Sequence, residues 1–128
     1  MKTEFEITDS ILIAELSGEI DHHEAADIRN DIDSTFAAFG SRHLIMDFSG
    51  VSFVDSSGIA VIMGRYKKVA ESGGMTVVCG CSEYLRSILY MAGIFTIVKE
   101  AESKSGAIEI IKEFDSENGE DAEEREAE

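Results

Sequence analysis

Apolar and polar residues alternate over residues 3–8, where Phe5 and Ile7 share one face. They alternate again over residues 11–16, where Ile11, Ile13 and Glu15 oppose Leu12, Ala14 and Leu16. A period of two marks β-strands, and the intervening Thr8-Asp9-Ser10 is a turn sequence, so the two runs predict an opening hairpin. Leu16-Ser17-Gly18-Glu19-Ile20 carries the chain out of it. At Asp21 the period changes. Asp21 and Glu24 have capping-box spacing, and Ala25, Ile28, Ile32, Phe36 and Phe39 recur at helical intervals up to Gly40, which predicts a first helix.

The remainder alternates between short apolar runs and helical stripes. His43 opens a strand centred on Leu44-Ile45-Met46, closed by Asp47-Phe48-Ser49-Gly50, and residues 51–54 form a brief extended approach to Asp55. A helix follows from Ser57, with Ile59, Ile62, Met63, Tyr66, Val69 and Ala70 facing inward and Gly73-Gly74 as its stop. Residues 75–79 read as a buried strand, 82–91 as a helix packing Leu85, Ile88 and Leu89, and 95–98 as a last strand. Residues 104–114 read as a helix packing Ala107, Ile108, Ile111 and Phe114. Strands alternating with helices imply parallel pairing through right-handed crossovers. The expected architecture is α/β: a mixed, mostly parallel sheet with an N-terminal β-hairpin and about four packed helices, in one domain over residues 1–114.

Charge changes this picture at the C-terminal end. Residues 115–128 carry eight acidic side chains against one arginine and almost nothing large and apolar, which predicts a disordered acidic tail. That stretch supplies −7 of a net charge of −15, so the domain itself is also acidic. Such a surface repels nucleic-acid phosphates and anionic lipid, and any effect on transcription is expected to run through another protein. The longest apolar run, from Ile59 to Met63, is far shorter than the roughly 20 residues a membrane helix needs, and the N-terminus lacks a signal-peptide pattern. A cytoplasmic location is the expectation. Cys79 and Cys81 stand one residue apart at the end of an apolar run and read as free buried thiols.

Candidate chemistry concentrates in Phe53-Val54-Asp55-Ser56-Ser57-Gly58-Ile59. Two hydroxyls stand where an extended segment turns into a helix, and unpaired N–H groups and the positive end of the helix dipole collect there. A phosphate added at such a place finds donors. Asp and Ser are also ordinary helix caps, and a capping serine can still accept a phosphoryl group. Gly58 reads as room for close approach by another molecule. A nucleophile elbow is not formed, because Val54 and Asp55 stand where a glycine is required. Asp21-His22-His23-Glu24 holds ligand-type side chains on adjacent positions, which point apart on a helix, so neither a metal nor a cofactor is expected. Gly64-Arg65-Tyr66-Lys67-Lys68 is the one basic cluster, either a solvated helix face or a patch for an acidic protein surface.

Taken together, several segments resemble the STAS domains of anti-sigma factor antagonists, most closely their sporulation type. They are residues 16–23 with Gly-Glu-Ile-Asp-His-His, residues 53–67 with Asp-Ser-Ser-Gly and Gly-Arg-Tyr-Lys, residues 73–79, and Met91-Ala92-Gly93-Ile94-Phe95. The resemblance implies the STAS fold and a non-enzymatic switch. An unphosphorylated antagonist of this kind binds an anti-sigma factor that is itself an ATP-dependent serine kinase, and binding releases the sigma factor. The kinase then phosphorylates the first serine of the motif, here Ser56, and a metal-dependent, PP2C-type serine phosphatase reverses it. ATP and magnesium belong to the kinase. On this reading Asp21, Asp55, Ser57, Gly58 and Arg65 contact the partner. Two alternatives are a STAS regulator of another pathway, such as a stressosome scaffold or a transporter-associated domain, and an enzyme using Ser56 with a histidine. Asp-His-His and Gly-Arg-Tyr-Lys argue against the first, and the missing base against the second.

Overall fold

A computed structural model describes residues 2–120 of the chain. β1 (Lys2–Thr8) and β2 (Ile11–Ile20) form the opening hairpin, with Asp9 at its tip in the left-handed region at φ 52°. α1 (Ala25–Ala38), β3 (His43–Val54), α2 (Ser56–Glu71), β4 (Thr76–Cys79), α3 (Glu83–Met91), β5 (Lys99–Ala101) and α4 (Lys104–Asp115) follow. Among the described residues the strands make one sheet in the order β1-β2-β3-β4-β5, antiparallel between β1 and β2 and parallel elsewhere. The mixed α/β architecture is the one the periodicities imply.

Alternation along the strands divides the core into two layers. Leu12, Ala14, Leu44, Met46 and Val78 face α1, α2 and α3, packing Ile28, Ile32, Val61, Ile62, Leu85 and Leu89. Ile11, Ile13, Ile45, Val77 and Cys79 face the other way and are covered by Ala107 and Ile111 of α4. Each fully buried Leu or Ile contributes about 1.5–3 kcal/mol of burial free energy, so these layers rather than the surface ion pairs hold the fold.

Four details differ from the sequence reading. β2 does not end at Leu16 but runs to Ile20, with register irregularities between Glu15 and Ser17 and between Gly18 and Glu19. β3 is one strand of 12 residues through the polar stretch Asp47–Gly50, because β2 pairs with it on both sides of that stretch; the carboxylate of Asp47, 8% exposed, accepts the N–H of Ser49 at 3.0 Å. The first helix begins at Ala25, since Asp21 and the next three residues form a turn. The segment expected as the last strand, 95–98, instead contributes to the 3-10 turn Ile94–Thr96. That turn buries Ile94 beneath α3, and the edge strand falls on the more polar Lys99–Ala101.

The acidic stretch begins inside the fold. Asp115 is the last residue of α4, and a π-helical turn spans Ser116–Glu120. Asp115 Oδ1 lies 2.8 Å from Nε2 of the fully buried His43, whose Nδ1 accepts the Met75 N–H at 2.9 Å. Nδ1 is therefore unprotonated, Nε2 carries the hydrogen, and a neutral imidazole ties the end of α4 to the start of β3 and β4. The expected disorder of residues 121–128 lies outside the described residues.

Candidate functional site

Strand register assembles the site. Ile20 of β2 and Val54 of β3 are partners across the parallel ladder, so the chain leaves both strands at the same level and Asp21 and Asp55 emerge side by side. The Asp55 N–H donates to the Ile20 carbonyl at 3.1 Å. Asp55 then takes the extended conformation of an N-cap residue, and its Oδ1 accepts from the N–H groups of Ser57 at 2.8 Å and Gly58 at 3.3 Å. Its Oδ2 accepts the His22 N–H at 3.2 Å. One carboxylate thus caps α2 and latches the turn after β2 to it.

Asp21 organises that turn. Its Oδ1 accepts from the N–H groups of His23 at 2.9 Å and Glu24 at 3.2 Å. Partial desolvation raises the Asp21 carboxyl, but these two N–H groups and the adjacent imidazoles outweigh it and hold the group below the usual carboxylate range. The His22 and His23 rings lie against each other with centroids 4.0 Å apart.

Ser56, the first residue of α2, is exposed beside this latch, and Ser57 is half-buried. The sequence reading assigned the free N–H groups of the helix end to an incoming phosphate. Two of them, on Ser57 and Gly58, are already engaged by Asp55. Any anion brought to this helix end would therefore compete with the Asp55 carboxylate for those donors.

Gly58 does not provide external room. It is buried, and a Cβ there would lie 2.6 Å from Val54 Cγ1 and 2.9 Å from Ile20 Cγ2. Its lack of a side chain seats the first turn of α2 directly on the ends of β2 and β3. Arg65 is likewise not on a solvated helix face. It is 5% exposed, and its Nε lies 2.7 Å from Oδ1 of Asp33 on α1, a carboxylate also held by Lys68 at 2.9 Å. The Arg65–Asp33 approach is close in distance but off the N–H axis, so Nε and Nη1 are buried without a directed acceptor. The helical phase carried this signal, because Arg65 follows Ile62 by three residues and precedes Val69 by four, on the buried stripe. Met63, read as inward, is exposed at 38%. Asp33, which the sequence reading did not single out, belongs to this arrangement.

The other reactive side chains lie away from Ser56. Burial first, and Asp47 next, push the Cys79 thiol up to about 12; burial and Glu100 do the same for Cys81, so both stay protonated and unreactive. His43 sits at the opposite end of β3 from Ser56. No helix among the described residues is long and apolar enough to cross a membrane.

A helix-capping Asp-Ser-Ser-Gly corner at the end of a mixed sheet, with three helices on one face and one on the other, is a STAS arrangement. Residues 2–118 match the STAS domain model, and the chain belongs to that family. The anti-sigma F factor antagonist of Paenibacillus polymyxa is 32% identical over 108 residues, covering 84% of this chain and 92% of that protein. The anti-sigma factor antagonist SpoIIAA in its unphosphorylated form superposes with a TM-score of 0.69 at 25% identity, covering 87% of this chain and 98% of that one. The Bacillus cell fate determinant SpoIIAA in the phosphorylated form gives a TM-score of 0.68 at 26% identity, covering 86% and 99%. Within the STAS family the chain thus falls among the anti-sigma factor antagonists.

Proposed function

We propose that this chain is a partner-switching antagonist, active in the cytoplasm of a sporulating bacterium and controlled at Ser56. In the unphosphorylated form it binds an anti-sigma factor that is also a serine kinase, and the sigma factor is released. The kinase transfers the γ-phosphoryl group of ATP to Ser56 Oγ, ADP is left, and the hydroxyl proton passes to a base of the kinase. A PP2C-type phosphatase hydrolyses the ester and restores binding. The chain itself binds neither nucleic acid nor membrane and supplies no catalytic group.

The observation that carries this reading is the exposed Ser56 at the head of α2, flanked by Asp55 and the latched Asp21 turn. It is supported by the relative named as an anti-sigma F factor antagonist and by SpoIIAA having been solved with and without its phosphate. Asp21, Asp55 and Ser57 form the contact surface, with Asp21 meeting a cation of the kinase. Gly58 and Arg65 act from beneath it, the first by seating α2 and the second by joining α2 to α1.

Phosphorylation adds about 1.5–2 negative charges beside Asp55. An interface fitted to a hydroxyl then has to bury an imperfectly paired dianion, which costs several kcal/mol, whereas about 1.4 kcal/mol already lowers affinity tenfold. The test is mass spectrometry of the full-length protein after incubation with ATP and its cognate anti-sigma factor. One phosphoryl group on Ser56, and loss of binding to the ADP-bound kinase on modification, are expected. A phosphate mapped elsewhere, or a modified protein that binds unchanged, refutes the switch.

A further inference from the structure

Between α1 and α2, directly beside Ser57, runs an open groove of about 450 Å³. Its walls are made by Ala25 and Ala26 on one helix and Ala60 and Gly64 on the other, and its polar lining is His22, Arg29, Ser57 and Arg65. Among the described residues no acidic side chain lines it, on a chain whose net charge is −15. Two features call for a ligand. First, the Arg65 guanidinium, with its side chain 6% exposed, has Nε and Nη1 without a directed hydrogen bond; Arg29 stands near enough to lower its pKa, and Asp33 divides its charge between Arg65 and Lys68. Buried donors are normally paired, and a guanidinium whose one carboxylate partner is off-axis and shared with Lys68 keeps uncompensated positive charge. Second, Gly64 sits in the middle of α2, where glycine costs about 1 kcal/mol against alanine. No packing reason accounts for it, since a Cβ there would meet nothing within 4 Å. The absent side chain leaves the groove open.

We infer that the α1–α2 groove receives a carboxylate side chain of the anti-sigma factor, held by the exposed Arg29, with the buried Arg65 guanidinium as a second positive charge beneath the groove. This rests on the partner-switching reading and extends its contact surface from Ser57 along α2 as far as Gly64. A carboxylate matches the planar guanidinium fork, and an electropositive slot on an otherwise acidic surface selects and orients an acidic partner segment.

Full-length protein titrated calorimetrically with its ADP-bound anti-sigma factor tests this, with wild type compared against Arg29→Glu, Gly64→Met and Ser56→Asp. Arg29 is exposed and Gly64 faces open space, so both groove variants fold, and Gly64→Met unfolds at an equal or higher urea concentration. Each groove variant is expected to lose at least about tenfold in affinity. Wild-type affinity in both overturns the groove and leaves the Ser56 switch standing. Undiminished binding by Ser56→Asp counts against the switch instead. A second readout does not depend on the kinase: amide shifts of the labelled full-length protein during titration with hexaglutamate. Shifts clustered at Arg29, Ser57, Gly64 and Arg65, and lost in Arg29→Glu, are expected. Their absence, or equal shifts with inorganic phosphate or ADP alone, overturns the carboxylate assignment whether or not the kinase binds.

Discussion

Replacing Asp55 by alanine or asparagine separates the two tasks of one carboxylate. Oδ1 caps α2 through Ser57 and Gly58, and Oδ2 latches the turn through His22. Losing an N-cap costs about 0.5–2 kcal/mol. A hydrogen bond to a charged acceptor contributes about 1.5–3 kcal/mol, and the His22 bond, exposed and 3.2 Å long, falls at or below the low end. Alanine removes both, for a loss of about 2–3 kcal/mol. Asparagine caps as well as aspartate, but its amide has one oxygen, and with that oxygen on α2 its NH₂ faces the His22 N–H. Asp55→Asn therefore loses the latch and part of the charge–dipole attraction, about 1–1.5 kcal/mol.

Urea unfolding with a slope of about 1–3 kcal/mol/M resolves that ordering of midpoints, wild type above Asp55→Asn above Asp55→Ala. Amide exchange localises it. His22 should exchange faster in both variants and Ser57 only in Asp55→Ala. Equal midpoints for the two variants, or protection at His22 unchanged in Asp55→Asn, refutes the latch. Binding adds a third reading, because a loosened turn displaces Asp21. The affinity of Asp55→Asn for the kinase should fall although α2 remains capped.

Ser56→Ala should bind the anti-sigma factor like the unmodified protein and resist inactivation by ATP, checked by calorimetry before and after incubation; loss of binding without phosphate counts against the switch. Gly58→Ala should lower the urea midpoint, because the overpacking of about 1–3 kcal/mol against Val54 and Ile20 outweighs the helix-propensity gain of about 1 kcal/mol; an unchanged or raised midpoint shows that α2 has slack at its seat. Burial lowers the His43 pKa, only partly opposed by Asp115. The neutral imidazole therefore contributes stability that is present above the unfolded value of about 6.5 and lost as pH falls through it, by up to about 1.4 kcal/mol per pH unit. The stability difference between wild type and His43→Leu, from urea titrations at pH 5 to 8, should shrink toward acid, and a flat difference refutes the buried neutral histidine.

Local patterns revealed the hairpin, the starts of α2, α3 and α4, and the Asp-Ser-Ser-Gly corner, because capping and period are properties of neighbouring residues. What they concealed was set by partners distant in the chain. Ser17, Gly18 and Glu19 break the alternation of β2, and Asp47, Ser49 and Gly50 break that of β3, so each strand reads as shorter than it is. Lys99–Ala101 is a strand because Val77, Val78 and Cys79 pair with it, not because two charged residues favour one. The charge of Arg65 suggests an exposed position, whereas its phase puts it on the buried stripe, and its ion partner lies on another helix.

The site follows the same division. Ser56 is recognisable from its own motif, but the neighbourhood that gives it meaning depends on register. The Asp21 turn is latched to Asp55 through the His22 N–H because Ile20 stands opposite Val54, and this register is reached only after the irregularities between Glu15 and Glu19 have adjusted the ladder. In a sheet, a slip of one residue turns every side chain to the other face. A slip in this ladder would carry Asp21 away from the Ser56 corner while leaving every residue of the motif in place. The irregular stretch of the β2–β3 ladder therefore helps to position the corner on which the proposed switch depends, although Glu15, Ser17, Gly18 and Glu19 belong to β2 and not to the motif.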